Sequence, residues 1–449
     1  MRMMTETVAK TMTTTDAHLE AFDALGPALP GSGQGWIEAL RRAALGRFRG
    51  AGLPTRRLEA WKFTGLAALE REAFSPAAEA AREAALPRVP ELGEIAARLV
   101  FVDGRFHEGL SQVPAETDGI TITTLARALA EGDAAIEDHL SQAADPAGAL
   151  SDLNAAFMAD GAVIRLADGA ALETPVSLVF LSSAAHHASH VRNLVLIGAG
   201  ARARVVETYA AAQGADAASF TNAVTDIALA DGAALTHVRV QDEGARAVHA
   251  ARAVVALGGG AEYAGFALAM GAEVSRQETE VVFTAPKGRV RLMGAYLGRG
   301  RQLLDHTTRV DHAVPGCETE ELFKGVLDDH ARGVFQGLIR VSPHAIGTDA
   351  RQKNQALLLS ERAAADTKPE LEILADDVKC AHGATVGNLD EDALFYLMAR
   401  GVPGEEARGL LIAGFAGDVI DRFDTGILGA HLHGWVVRWQ ERGMGGRHA

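Results

Sequence analysis

Cys380 and His382 stand two residues apart in the run Val378-Lys379-Cys380-Ala381-His382-Gly383. On a β-strand that spacing projects both side chains to one face. A thiolate beside an imidazole makes a soft and a borderline ligand, a pair suited to iron. One strand supplies only two ligands, whereas a metal centre of this kind takes about four, so a second chain at an interface is the natural completion. The same face also reads as core. Leu374, Val378 and Ala384 share it, and a free cysteine packs as a small hydrophobe.

Other residues with chemical potential point more to structure than to a site. Cys317 is isolated between Pro315-Gly316 and Glu318. Asp305-His306 and Asp311-His312 carry types that suit divalent metals, but their offset also fits polar residues at strand ends. His186, His187 and His190 lie in a loop-like stretch and read as exposed. Gly258-Gly259-Gly260 lacks the Gly-Lys-Ser/Thr of a phosphate-binding loop, so this chain is expected to bind no nucleotide.

These residues belong to a chain of 449 residues with 48% apolar and 22% charged residues, enough for a large core. A net charge of −15 with no basic block argues against a nucleic-acid partner. Two cysteines cannot form a secreted disulfide framework, and Met1 to Asp16 is polar and Thr-rich, without the apolar run of a leader. No stretch approaches the roughly 18 apolar residues of a membrane span. The expected setting is therefore cytoplasmic, with free thiols and no membrane.

The elements that must position Cys380 and His382 come in three blocks. Residues 1–18 read as a disordered tail, and 19–150 as a mainly helical domain. Gly35 to Arg49 is amphipathic, Phe74 to Pro90 reads as helix plus linker, and Thr123 to Ala144 has helical period. Within this domain Leu99–Val102 reads as a strand, and Asp103-Gly104 supplies a hairpin turn before Arg105-Phe106. From Ser151 to 389, short Val/Ile/Leu-rich runs such as Val176–Leu181 and Leu194–Ile197 are separated by glycine turns. The punctuation recurs at Gly169, Gly200, Gly232, Gly260 and Gly288, which are nearly evenly spaced. Such a period suggests a β-solenoid or a β-sandwich; its small drift and the apolar character of both strand faces favour the solenoid. Residues 390–449 return to helix, with Asp390 as N-cap, Gly401 as stop, and an apolar stripe of Leu410, Leu411, Phe415, Val419 and Ile420.

Four stretches resemble the SufB/SufD family of iron–sulfur cluster assembly proteins over roughly residues 50 to 430. They are Arg56-Arg57-Leu58-Glu59-Ala60-Trp61-Lys62-Phe63-Thr64; Leu153-Asn154-Ala155-Ala156-Phe157 with Asp160-Gly161; the span from Lys324-Gly325 through Gly333-Val334-Phe335-Gln336-Gly337 to Asp349–Ser360; and Pro369–Ile373 with Asp376–Thr385, Leu394-Phe395-Tyr396-Leu397 and Arg400-Gly401. The resemblance implies a mainly β protein, a right-handed parallel β-helix between helical terminal domains. Gly383 stands where SufB proteins typically carry Glu after the His, and the N-terminal third has no Cys cluster, so the SufD branch is the better match.

That branch implies a non-catalytic scaffold that pairs with SufB and with the ATPase SufC. It further implies a transient iron or cluster shared with SufB near His382, with Cys380 as the lesser contributor, and SufC docking at the C-terminal helices, for which the apolar stripe is the candidate. A homodimer of the isolated chain is a further expectation. Two alternatives belong to other classes. A self-sufficient homodimeric scaffold would have to build its site from paired Cys380 and His382. A β-helix carbohydrate-active enzyme would want a leader and clustered carboxylates, and Asp376-Asp377 on a strand would face opposite ways. No flavin signature is present.

Overall fold

A computed structural model describes residues 13–445 except 77–84, 88, 91, 115–116, 118, 143–147, 213–217 and 425. The chain starts with α1 (Thr14–Leu25), α2 (Gly35–Ala51), α3 (Ala67–Arg71) and β1 (Ser75–Pro76). It continues through β2 (Ala97–Val102), β3 (Arg105–Phe106), β4 (Ile120–Thr124), α4 (Leu125–Glu131), α5 (Ala134–Gln142) and α6 (Ala149–Phe157). An unbroken series of strands follows: β5 (Ala162–Leu166), β6 (Val176–Ser182), β7 (His187–Ile197), β8 (Arg202–Ala211), β9 (Ser219–Leu229), β10 (Ala234–Asp242), β11 (Val248–Leu257), β12 (Glu262–Ala269), β13 (Val274–Phe283), β14 (Arg289–Gly298), β15 (Leu303–His312), β16 (Glu318–Leu327), β17 (Arg332–Val341), β18 (Asp349–Leu358), β19 (Ala364–Ile373) and β20 (Lys379–Asn388). Three helices close the chain, α7 (Glu391–Ala399), α8 (Gly404–Phe423) and α9 (Ile427–Gly445).

From β5 onward each strand pairs in parallel with the strand two places along, so odd strands build one sheet and even strands the other. This is the solenoid rather than the sandwich: a sandwich would pair its strands antiparallel. The glycine period is one coil. Gly169, Gly200, Gly232 and Gly260 all adopt positive φ at the same corner. Their N–H groups donate along the axis, Gly200 to Asp231 O (2.9 Å) and Gly232 to Gly259 O (2.8 Å). At the fifth corner the left-handed residue is Lys287 rather than Gly288, and the next corners revert to Gly316 and Gly347. The turn geometry persists although the residue changes.

The inward faces of both sheets form one continuous core, which includes Val195, Leu257, Phe283, Val310 and Ile339. Glycines of the Lys324–Gln355 motif make room inside it. A Cβ at Gly325 or Gly333 would overlap the Tyr296 ring, and one at Gly337 would overlap the Gln352 amide.

The N-terminal region departs from the expected pattern in two ways. It is not only helical: β2 pairs in parallel with β6, and β4 pairs antiparallel with β5, so both sheets run on into the region ahead of the core. The β2–β3 hairpin turns at Asp103 and Gly104, both at positive φ, as its sequence implies. Nor is all of 1–18 a tail. Thr13 caps α1, and Thr14 and His18 are buried, because His18 packs on His190 and Phe157. Residues 1–12 and most of the Phe74–Pro90 helix-plus-linker reading lie outside the described residues.

The Arg56–Thr64 motif fastens this region to the outer face of the odd-strand sheet. Trp61 lies under the Arg276 guanidinium at 4.1 Å, Thr64 hydrogen-bonds Asp305, Glu59 pairs with Lys368 at 2.7 Å, and Gln336 donates to Ala60 O at 3.2 Å. No helix among the described residues is long and apolar enough to cross a membrane.

Candidate functional site at the open end of the solenoid

The last coil, β19 and β20, has a neighbour on one side only, and each strand is the terminal member of its sheet. Backbone groups on the free edges are therefore unpaired, a template for another chain. The register fixes which side chains face inward. Cys380 pairs with Ala350 and His382 with Gln352, both of which are buried inside the preceding coil. Cys380 and His382 thus share the inward face, as their spacing requires. With no further coil above them, that face is open: His382 is exposed and Cys380 half-buried. The residues that could read as either core or site are core by orientation and surface by position.

Cys380 packs against the core with Ala365, Leu371 and Val378. Burial, and then the nearby Asp349 charge, push its thiol above the usual range, so a proton must leave before the sulfur can bind a metal. Among the described residues His382 has no hydrogen-bond or ion-pair partner, and no three His, Cys, Asp or Glu side chains converge as a ligand set. The exposed end is also apolar. Ile373, Leu374 and Val386 are 41, 57 and 46% exposed, and Phe395, Tyr396 and Met398 on the adjoining α7 are 73, 56 and 49% exposed. Phe395 and Tyr396 stand in the last of the family-like stretches, but the sequence does not mark them as exposed, because a helix with an apolar face usually buries it, and α7 buries none. Its boundaries are legible: Asp390 Oδ1 accepts from the N–H groups of Asp392 and Ala393, both at 3.0 Å, and Gly401 follows with positive φ.

The apolar stripe on α8 divides. Val419 and Ile420 are fully buried with Trp435 and Leu432 against Val238, Phe266 and Leu297 of the even-strand sheet, so they cannot meet a partner. Phe415 is half-buried under Lys324 (4.5 Å to its ring), whose ammonium also pairs with Asp418 at 2.7 Å. Leu411 is half-buried and Leu410 is 52% exposed. Three- and four-residue spacing marks an apolar face but not what covers it; here most of the stripe covers the sheet.

Other sequence candidates sit inside the fold. His187 and His190 lie in β7 and are buried, contrary to the exposed-loop reading, while His186 at its edge is exposed. The His18 and His190 Nε2 atoms are 2.8 Å apart, and burial lowers both imidazoles. His306 and His312 are interior residues of β15, pushed down to about 3 and about 4 by burial. Cys317 is buried in the core. One carboxylate that the sequence does not flag is Glu321 of β16, which burial pushes up to about 7 against hydrogen bonds from Gln352 and Thr308.

Two family models cover nearly the whole described chain. One, for the SufBD protein N-terminal region, matches residues 12–178. The other, for the SufBD core domain of the SUF iron–sulfur cluster assembly system, matches 180–415. A SufBD family iron–sulfur cluster assembly protein of Synechocystis is 32% identical over 391 residues, covering 85% of this chain and 86% of the relative. The SufD iron–sulfur cluster assembly protein of Escherichia coli is 30% identical over 375 residues, covering 82 and 85%. That of Bacillus subtilis is 30% identical over 275 residues, covering 61 and 62%.

Proposed function

This chain belongs to the SufBD family of iron–sulfur cluster assembly proteins, and from that premise we propose that it is the SufD-type subunit, a non-catalytic scaffold joined through its open solenoid end to SufB. The observation that carries the reading is the coincidence at that end of two unpaired strand edges, an exposed apolar cross-section and the Cys380–His382 pair. A partner solenoid seated there pairs the edges and covers the apolar face. It also completes a ligand set of which this chain holds only part. His382, exposed and unpartnered, is the primary ligand, and Cys380, half in the core, is the lesser one. Iron or a nascent cluster is the cargo of the site, and this chain binds no nucleotide.

The α8–α9 hairpin is the second docking element, for the ATPase SufC. Its sheet-facing side is committed to Trp435, Val419 and Ile420, so SufC must use the outer side, where Leu410 and Val437 are exposed. ATP turnover in SufC would then act on this chain through a hairpin whose α8 packs on β14 and β16. The setting is the cytoplasm.

The test is co-expression with SufB and SufC partners, with complex mass and cluster yield measured for wild type and His382→Ala. A ternary complex whose cluster yield falls in the variant is expected. Equal yield from the variant would make His382 structural. A stable homodimer that builds clusters without SufB would replace the heterodimer reading with a self-sufficient scaffold.

A further inference from the structure

Below His382 the solenoid interior is not apolar. Strand register stacks one inward residue per coil, in the column Leu292, Glu321, Gln352, His382 across β14, β16, β18 and β20. Leu292 and Glu321 are buried, Gln352 is 2% exposed, and His382 lies open at the top. Glu321 Oε2 accepts from Gln352 Nε2 at 2.8 Å and from Thr308 Oγ1 at 3.0 Å. The first of these bonds fixes the amide, with its nitrogen toward Glu321 and its oxygen turned away. Gly337 on the facing sheet leaves the space in which the amide lies.

Gln352 Oε1 is buried and has no hydrogen-bond partner among the described residues. Buried acceptors are nearly always satisfied, and an orphan is destabilising. The next rung of the column is His382, one strand spacing away on the same face, whose ring carries an N–H with no partner of its own. Covering the open end removes water from the exposed His382 and leaves the two groups each other.

We propose that Glu321 and Gln352 are positioning residues for His382. In the assembled complex Gln352 Oε1 accepts the N–H of one imidazole nitrogen, and Glu321 holds the amide in the orientation that permits it. The hydrogen bond fixes the tautomer and the ring plane and leaves the other nitrogen unprotonated for a metal, as outer-shell acceptors do for histidine ligands generally. This deepens the assignment of His382 as a ligand and rests on it.

The test is titration of Co(II), as a probe of the site, into the complex with SufB and SufC partners, followed by visible absorption. The variants are His382→Ala, Gln352→Met, Glu321→Leu and Glu321→Gln. Loss of the amide acceptor in Gln352→Met is expected to weaken Co(II) binding about 10- to 100-fold and to shift the pH at which half the site is loaded. Glu321→Gln still offers the amide an acceptor and should bind within about twofold of wild type. Should Gln352→Met fail to assemble, Glu321→Leu, one coil deeper, carries the same expectation of weakened binding. Wild-type affinity in both Gln352→Met and Glu321→Leu, with binding lost in His382→Ala, would overturn the positioning role and keep the ligand. Unchanged affinity in His382→Ala would remove the ligand assignment, and the positioning role with it.

Discussion

Replacing Glu321 with Gln should flatten the response of stability to pH. The carboxyl is buried, and that burial raises it from 4.5 to about 7, even though Gln352 and Thr308 donate hydrogen bonds to it. The folded state therefore binds this proton more tightly than the unfolded chain does. The associated stability is fully present below about pH 4.5 and is lost as pH rises through 7. A displacement of this size corresponds to about 3 kcal/mol at ~1.4 kcal/mol per pH unit. The Gln side chain keeps an oxygen for the two donors and has no proton to lose. The stability difference, variant minus wild type, should therefore grow by about 3 kcal/mol between pH 4.5 and 7.5. Urea denaturation of the isolated chain at several pH values in that window reads it directly. Parallel stability curves for the two proteins would refute the buried, proton-holding carboxyl and the interior placement of the β16 column.

Three further outcomes follow from the packing. Burial lowers His18 to about 4 and holds His190 well below the ordinary imidazole value. The stability they contribute is intact above pH 6.5 and is lost as pH falls toward 4, so hydrogen exchange in α1 should accelerate at pH 5, relative to pH 7 after intrinsic correction, before exchange in β9–β17 does. Trp435→Ala removes a fully buried ring between α9 and the even-strand sheet and should destabilise the hairpin by about 3–5 kcal/mol, seen as faster exchange in α8 and α9; unchanged protection there would contradict the packing. Gly325→Ala places a methyl in the space of the Tyr296 ring and should cost about 1–3 kcal/mol in thermal unfolding, partly recovered by adding Tyr296→Leu.

Much of this architecture is legible in the residues. The glycine period marks the coils because every coil must turn at the same corner in a left-handed conformation that glycine adopts freely. Asp103-Gly104, Asp390 and Gly401 mark a hairpin, a helix start and a helix stop, since each acts through its own neighbours in the chain. The two-residue spacing of Cys380 and His382 gives them a common face, again a local property of a strand. The motifs from Arg56 to Gly401 point to the family.

What the sequence leaves open depends on contacts between residues far apart in the chain. His187 and His190 look like loop residues until β7 pairs with β9, α1 packs on His190 and the β2–β3 turn bonds His187. Val419 and Ile420 belong to an amphipathic stripe whether it faces a partner or the sheet, and only the docking of α8 on β14 and β16 buries them. The N-terminal strands β2 and β4 become visible as extensions of the solenoid only when they pair with β6 and β5. Above all, local spacing puts Cys380 and His382 on one face, but stacking decides that this face points inward, that no coil covers it, and that Gln352 and Glu321 lie beneath it. Spacing along a strand is set by backbone geometry, whereas the neighbour across a strand ladder, a whole coil away in the chain, is set by register. Register in turn comes from burying every coil together.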